Sequence, residues 1–225
     1  MSNEHWVGYI GNLHVHLDTL VTMWFAMAVV LIVAFLLTRK LEIIPNKLQT
    51  VAESVIKFFI GNVSEIKNGE KHIPLVGSLF LFILFANLMG QLPLRLIHLK
   101  QGELASPTND INMTAAMAVI VLIYYLFQGF KTKGIHAIWH GFSLAGIITM
   151  FVDVLEMITR PLSLSLRLFA NIFAGEILVS ALLGIFAIGL PLPAMFFELF
   201  VAFIQAFVFM MLSIAYISTS VSEEH

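Results

Sequence analysis

The sequence predicts an all-α membrane protein with five membrane-crossing helices and one interfacial amphipathic helix, and three observations predict it. Of 225 residues, 59% are hydrophobic and only 12% charged, with a mean hydropathy of +0.93. A soluble domain of this size needs far more charged surface. Several apolar runs approach or exceed the ~20 residues that cross a bilayer core. Finally, Lys and Arg gather in alternate loops, as in chains threaded through a membrane.

The elements follow in order. Residues 1–18 hold no Lys or Arg and form an external N-terminus. The first apolar run, Leu20 to Leu37, is longer than a signal-peptide core and stops at "TRK", so 19–38 stays as the first crossing. In 45–66, Leu48, Val51, Val55, Phe58 and Phe59 recur at helical spacing with Lys47, Glu53 and Lys57 between them. Pro45 suits a first turn, and the pattern predicts a helix lying in the interface, with a short soluble helix in a loop as the alternative. Crossings at 74–92 and 112–130 flank a polar loop. Asn87 is the strongly polar residue inside the first of them, suited to an interhelical hydrogen bond or, as the second choice, to lining the external path. A long apolar stretch with scattered charges covers 136–186, "AIGLPLP" (187–193) reads as a turn, and 194–220 is the last helix. All form one integral membrane domain, 1–225, without an evident inverted repeat.

Arg39, Lys40, Lys47, Lys57, Lys67, Lys71, Lys131 and Lys133 fall on one side, and only Arg95 and Lys100 on the other. The first side is cytoplasmic by the positive-inside rule, which puts the N-terminus outside and the C-terminus in the cytoplasm. A net charge of −2 without a basic cluster gives no sign of nucleic-acid binding. Zero Cys excludes disulfides, iron–sulfur clusters and thiolate metal sites.

The long helix carries the chemistry. At 100° per residue, and with Asp153 as reference, Arg160, Arg167 and Asn171 fall within about 40° of it, Glu156 about 60° away, and Glu176 nearly opposite. Intramembrane charges of this kind face protein or water and mark ion paths, or else serve as packing salt bridges. Arg167 cannot relay a proton by losing one. Asp153 lies about 21 Å before it along the helix and Glu176 about 13 Å beyond it. The carboxylates therefore form two groups separated by a fixed cation, which suits two half-paths rather than one wire. In an antiparallel hairpin, a register that sets Arg167 beside Gln205 also sets Glu176 beside Glu198, where two close carboxyls would share a proton.

"RPLSLSLRLFANIFAGEI", "IQAFVFMMLSIAYIS" and "SPTNDINMT" resemble the subunit a family of F-type ATP synthases, in motif order and over essentially the whole chain. "GELASPTNDIN" is most similar to cyanobacterial and plastid versions. The resemblance implies a stator subunit, without catalytic activity or cofactor of its own, that forms two proton half-channels against a ring of c-subunits. Rotation of the ring then couples proton flow to ATP synthesis or hydrolysis. It implies that the last two helices form a long tilted hairpin wrapping the ring. The b-subunit peripheral stalk and the other ATP synthase subunits are the further partners, in a bacterial plasma membrane or a plastid thylakoid.

By the same resemblance, Arg167 faces the ring carboxylate. Asp110, Asn171, Glu198 and Glu176 line the external path, Gln205 lies near the arginine, and Asp153 and Glu156 line the cytoplasmic path. Two positions depart from common usage: Ala170 stands where many members have Gly, and Asp153 where Glu is more frequent. Glu198 fills a position that varies among His, Gly and Glu.

Two other classes were weighed. A stand-alone ion-coupled transporter would use the same buried charges but no ring of small hairpin proteins. An intramembrane metalloenzyme would draw on His136 and His140, spaced i, i+4 in "HAIWH", yet neither "HExxH" nor further histidine boxes accompany them. His14 and His16 are too sparse to complete such a site.

Overall fold

The computed structural model describes residues 7–10, 13–39, 41–64, 66, 68–91, 106–134, 144–185 and 191–222. Its architecture is an all-α membrane protein. Among the described residues, five helices are long and apolar enough to cross a bilayer. They are α1 (Leu17–Thr38), α3 (Ile73–Gln91), α4 (Ile111–Lys133), α5 (Leu144–Ile185) and α6 (Pro191–Val221). A shorter helix, α2 (Lys47–Val63), lies between the first two of these. The loop at 94–105, the segment 135–143 with His136 and His140, and most of the 187–193 turn lie outside the described residues.

Within the expected external N-terminus the structure builds a small antiparallel hairpin, β1 (Val7–Ile10) with β2 (Leu13–His16), in which Val7 pairs with His16. Four-residue strands give too few alternations to register as a period in the sequence. The hairpin runs directly into α1, whose first two turns bury Asp18, Thr19 and Thr22.

Helix α2 starts two residues later than expected. Asn46 is its N-cap, with the side-chain oxygen accepting from the Gln49 backbone N–H at 2.9 Å, so Pro45 precedes the cap instead of occupying the first turn. Gln49 also bonds Glu42 through both backbone groups and donates to Glu53, folding the α1–α2 link back onto the helix. The apolar positions of α2 divide. Phe59 and Val63 enter the core, whereas Leu48, Val51, Ile56 and Phe58 stay exposed.

Helix α6 begins inside the expected turn, with Pro191 and Pro193 in its first turn. Proline is tolerated there because first-turn N–H groups have no helical partner. Helix α4 runs on to Lys133 and stops at Gly134 with φ +63°.

The core lies between α3, α4, α5 and α6, with α2 closing one side. Leu164, Leu168 and Ile172 enter it from α5 at i, i+4 and i+8. Phe209, Met210, Ile214 and Ile217 enter from α6, Val76, Phe80 and Ile83 from α3, and Met117 and Val121 from α4. Asn87, fully buried, donates to the Ala202 carbonyl at 3.3 Å and ties α3 to α6. Helix α5 is continuous through Pro161 over 42 residues, about 63 Å at 1.5 Å per residue. That is about twice the ~30 Å hydrocarbon core, so α5 cannot stand upright within it.

Asp110 caps α4, its Oδ1 accepting the Asn112 backbone N–H at 2.8 Å. Asp110→Ala should cost about 1 kcal/mol or more, lowering the melting midpoint of the purified protein by about 2–4 °C. Asp110→Asn, which retains a capping oxygen, should lose less. An unchanged midpoint for the alanine variant would contradict this role.

Candidate functional site

Two polar clusters lie on α5, on either side of Arg167. The first is built around the turn before α4. Pro107–Asn109 form a single 3-10 turn, and Pro107 and Thr108 are buried against α3. Ser106 donates to the Ala86 carbonyl at 3.1 Å and lies 2.9 Å from the Thr108 hydroxyl, which pins the turn to α3. The next two residues then point to different elements. Asn109 donates its amide to Glu176 Oε2 on α5 at 2.5 Å. Asp110 Oδ2 lies 2.7 Å from His16 Nδ1 and accepts from Thr19 at 3.3 Å, joining the turn to α1.

Two glycines permit this convergence. A Cβ on Gly90 would lie 2.8 Å from Ser106 Cβ and 3.7 Å from Glu176 Oε1. A Cβ on Gly175 would lie 2.7 Å from Glu198 Oε1, so buried Glu198 rests against α5 one residue before Glu176. Glu198 thus reaches the level of Glu176 across the hairpin. Gln205 meets Asn171 rather than Arg167: the Asn171 amide donates to Gln205 Oε1 at 2.7 Å. The register expected from residue numbers is therefore off by about one helical turn at that level.

Burial pushes the Asp110 carboxyl up. The backbone N–H of Asn112, the His16 imidazole and the Thr19 hydroxyl outweigh it and hold the carboxyl below its ordinary value. A depressed carboxyl keeps its stabilising bonds at neutral pH and gives them up only as pH falls into the acid range.

The second cluster lies toward the other end of α5. Arg160 pairs with Glu156 one turn earlier and donates to Thr219 on α6 at 3.3 Å. Its guanidinium carbon sits 5.8 Å from the Tyr125 ring centroid and 5.1 Å from that of Tyr216, within cation–π range. Arg160 is therefore taken up in packing α5 against α4 and α6, and Glu156 is its counterion. Asp153 lies half-buried one turn before Glu156.

Arg167 is different. It lies on an exposed face of α5 with Ser163, Leu166, Ala170, Asn171 and Ala174, while Leu164 and Leu168 turn inward. Among the described residues no carboxylate pairs with it. Further along α5, Asn171 donates to buried Gln205 on α6, and Gly175 lies against buried Glu198.

Sequence reasoning named the carboxylates of both clusters and Arg160, but not the Tyr125, Tyr216 and Thr219 that hold the arginine. Asn109, His16 and Thr19 were missed, although "SPTND" and "HVHLD" contain them. The signal available was a run of polar residues directly before two apolar helices. The buried Thr114–Ser165 hydroxyl pair, 3.2 Å apart between α4 and α5, gave none.

The family model described as ATP synthase A chain matches residues 20–218. The chain is also 42% identical over 226 aligned residues to "ATP synthase subunit a" of Gloeobacter violaceus, covering 99% of this chain and 90% of that relative. The chain belongs to the ATP synthase A chain family, that of ATP synthase subunit a.

Proposed function

We propose that this chain is the stator of a rotary F-type ATP synthase and forms two proton half-channels against a ring of c-subunits. The observation that carries the reading is Arg167, exposed on a membrane helix between two separate groups of carboxylates. A guanidinium at the bilayer centre costs roughly 2.5–3.5 kcal/mol on insertion scales. It holds its proton at any accessible pH. Since no carboxylate of the described chain pairs with it, the natural counterion is a carboxylate of another chain that approaches this face. Ser163, Ala170 and Ala174 leave room for a neighbouring helix to come close.

The steps follow from charge. Protons from outside reach the ring carboxylate past Asp110, Glu176, Glu198 and Asn171, and a neutralised site can then enter lipid. A site returning to Arg167 is attracted as an anion by several kcal/mol at intermediate dielectric, so it releases its proton toward Asp153 and the cytoplasm. Glu156, held by Arg160, contributes negative potential to that exit. Arg167 also repels any proton moving directly between the half-channels. Gln205, bonded to Asn171, provides a polar surface beside the passing carboxylate and keeps the ion pair from locking. Catalysis of ATP chemistry belongs to other subunits, and the peripheral b-subunit stalk holds this chain still against the ring. The N-terminus faces outward, the C-terminus faces the cytoplasm, and the membrane is a bacterial plasma membrane or a thylakoid. The exposed apolar side of α2 lies in the cytoplasmic interface.

Three outcomes check this reading. Arg167→Ala should lower proton-driven ATP synthesis in inverted vesicles by about a hundredfold or more, the equivalent of about 3 kcal/mol, and let protons leak passively; normal coupled synthesis would refute it. Glu198→Gln should alter the pH profile of proton transport, because a carboxyl sharing its load with Glu176 has been removed; an identical profile would exclude the pairing. Cysteines placed at Leu48 and Val51 should react with reagents that reach the headgroup level, and protection at bilayer-centre depth would reject the interfacial placement of α2.

A further inference from the structure

Helix α5 contains a weak joint. Pro161 lies inside it and has no N–H, so the Met157 carbonyl loses its helical donor there. Interior prolines are among the usual places where helices kink. The two sides of this joint are held unequally. Beyond it, Leu164, Leu168 and Ile172 are buried in the core. Before it, no residue from Ile148 to Thr159 is buried. That segment carries Asp153 and Glu156. Asp153 lies about 12 Å before the proline along the axis. A change of about 20° in the bend would carry it about 4 Å sideways, more than the length of a hydrogen bond.

Arg160, directly before the proline, ties the loosely held side to two neighbouring helices. Its guanidinium carbon lies 5.8 Å from the Tyr125 ring centroid on α4 and 5.1 Å from that of Tyr216 on α6. The two rings also meet each other, with centroids 6.2 Å apart. Arg160 donates to Thr219 at 3.3 Å. The Thr219 hydroxyl donates in turn to the Tyr216 carbonyl at 3.0 Å, which leaves an oxygen lone pair for the arginine. A second guanidinium nitrogen pairs with Glu156. Tyr125 is only 5% exposed, and among the described residues its hydroxyl has no hydrogen-bond partner. Helix α4 therefore contributes a ring face to the arginine rather than a polar atom.

We propose that Arg160 is a positioning residue: its clamp between Tyr125 and Tyr216 stiffens the joint at Pro161 and keeps Asp153 and Glu156 in place relative to Arg167. The inference rests on the half-channel reading above, in which that segment lines the proton exit. It differs from a charge role in the exit, because the rings carry it as much as the cation does. Releasing the clamp slows proton exit. It leaves Arg167, on the core-held side of the joint, still blocking leakage.

The test is a set of double variants in the intact ATP synthase, reconstituted in liposomes at one pH and one driving force. Arg160→Gln should lower the synthesis rate by about tenfold or more, since a misplacement of about 1 Å can cost about a hundredfold, without raising passive proton leak. Tyr216→Leu, which keeps the ion pair and removes a ring, should lower it to a lesser degree. Tyr125→Phe, which keeps the ring, should match the wild type, and a loss as deep as that of Tyr216→Leu would overturn the inference. Pro161→Ala returns the missing backbone bond. Alone it should work at the wild-type rate, and added to Arg160→Gln it should restore most of the lost rate. No loss in Arg160→Gln, an equal loss in Pro161→Ala alone, or a loss that Pro161→Ala does not restore overturns the inference. Val121→Ala, which opens a cavity in the core, controls for general stabilisation. Equal restoration of that variant by Pro161→Ala also overturns it. If Arg160→Gln does not assemble, Tyr216→Leu is held to the same criteria. If neither assembles, assembly becomes the readout, and Pro161→Ala must restore it. Coupled synthesis by Arg167→Ala would sink the channel reading itself. Loss of coupling there, with no restoration by Pro161→Ala, sinks this inference alone.

Discussion

A guanidinium that cannot discharge, set on the open face of a membrane helix, is the constraint around which this molecule is arranged. Water would solvate Arg167 cheaply and hydrocarbon does not. The fold could have buried it against a carboxylate of its own, as it does a few residues away. It leaves Arg167 facing outward instead, among small side chains, where a charge from a neighbouring chain can reach it. The rest of α5 keeps that position fixed: Leu164, Leu168 and Ile172 lock one side of the helix into the core, so the opposite side must look out.

Arg160 shows the alternative fate of the same residue type on the same stripe. Its charge is spent on Glu156, its face on Tyr125 and Tyr216, and one donor on Thr219. Seven residues separate the two arginines, nearly two helical turns, and their environments are opposite. One arginine braces the helix bundle and the other is presented by it. At the other cluster a single short turn does comparable work. Asn109 and Asp110 link α5, α1 and β2 through hydrogen bonds that span 67, 91 and 94 residues of sequence.

Much of this was legible in the sequence because lipid enforces simple rules. Apolar length gave the crossings, and the spacing of Asp153, Arg160, Arg167 and Asn171 gave one polar stripe. The remainder depends on contacts that helical periodicity does not encode. Gln205 pairs with Asn171 and not with Arg167, because crossing helices do not keep the register that residue numbers suggest. Glu156 pairs with Arg160, a contact that their spacing allows but does not require. The hairpin before α1 is too short for its alternation to show, and His16 acquires meaning only when the turn at 107–110 folds against it. Pro191 and Pro193 read as a turn, although prolines in a first turn start a helix equally well.

The central claim is that the face bearing Arg167 meets a ring carboxylate. Disulfide cross-linking in the intact complex tests it most directly, with one cysteine at Ala170, beside the arginine, and the other next to the membrane carboxylate of the c-subunit. The account predicts rapid cross-links that stop rotation, and none from a cysteine at Leu168 on the inward side. Cross-linking from Leu168 but not from Ala170, or from neither while the complex stays active, would contradict it.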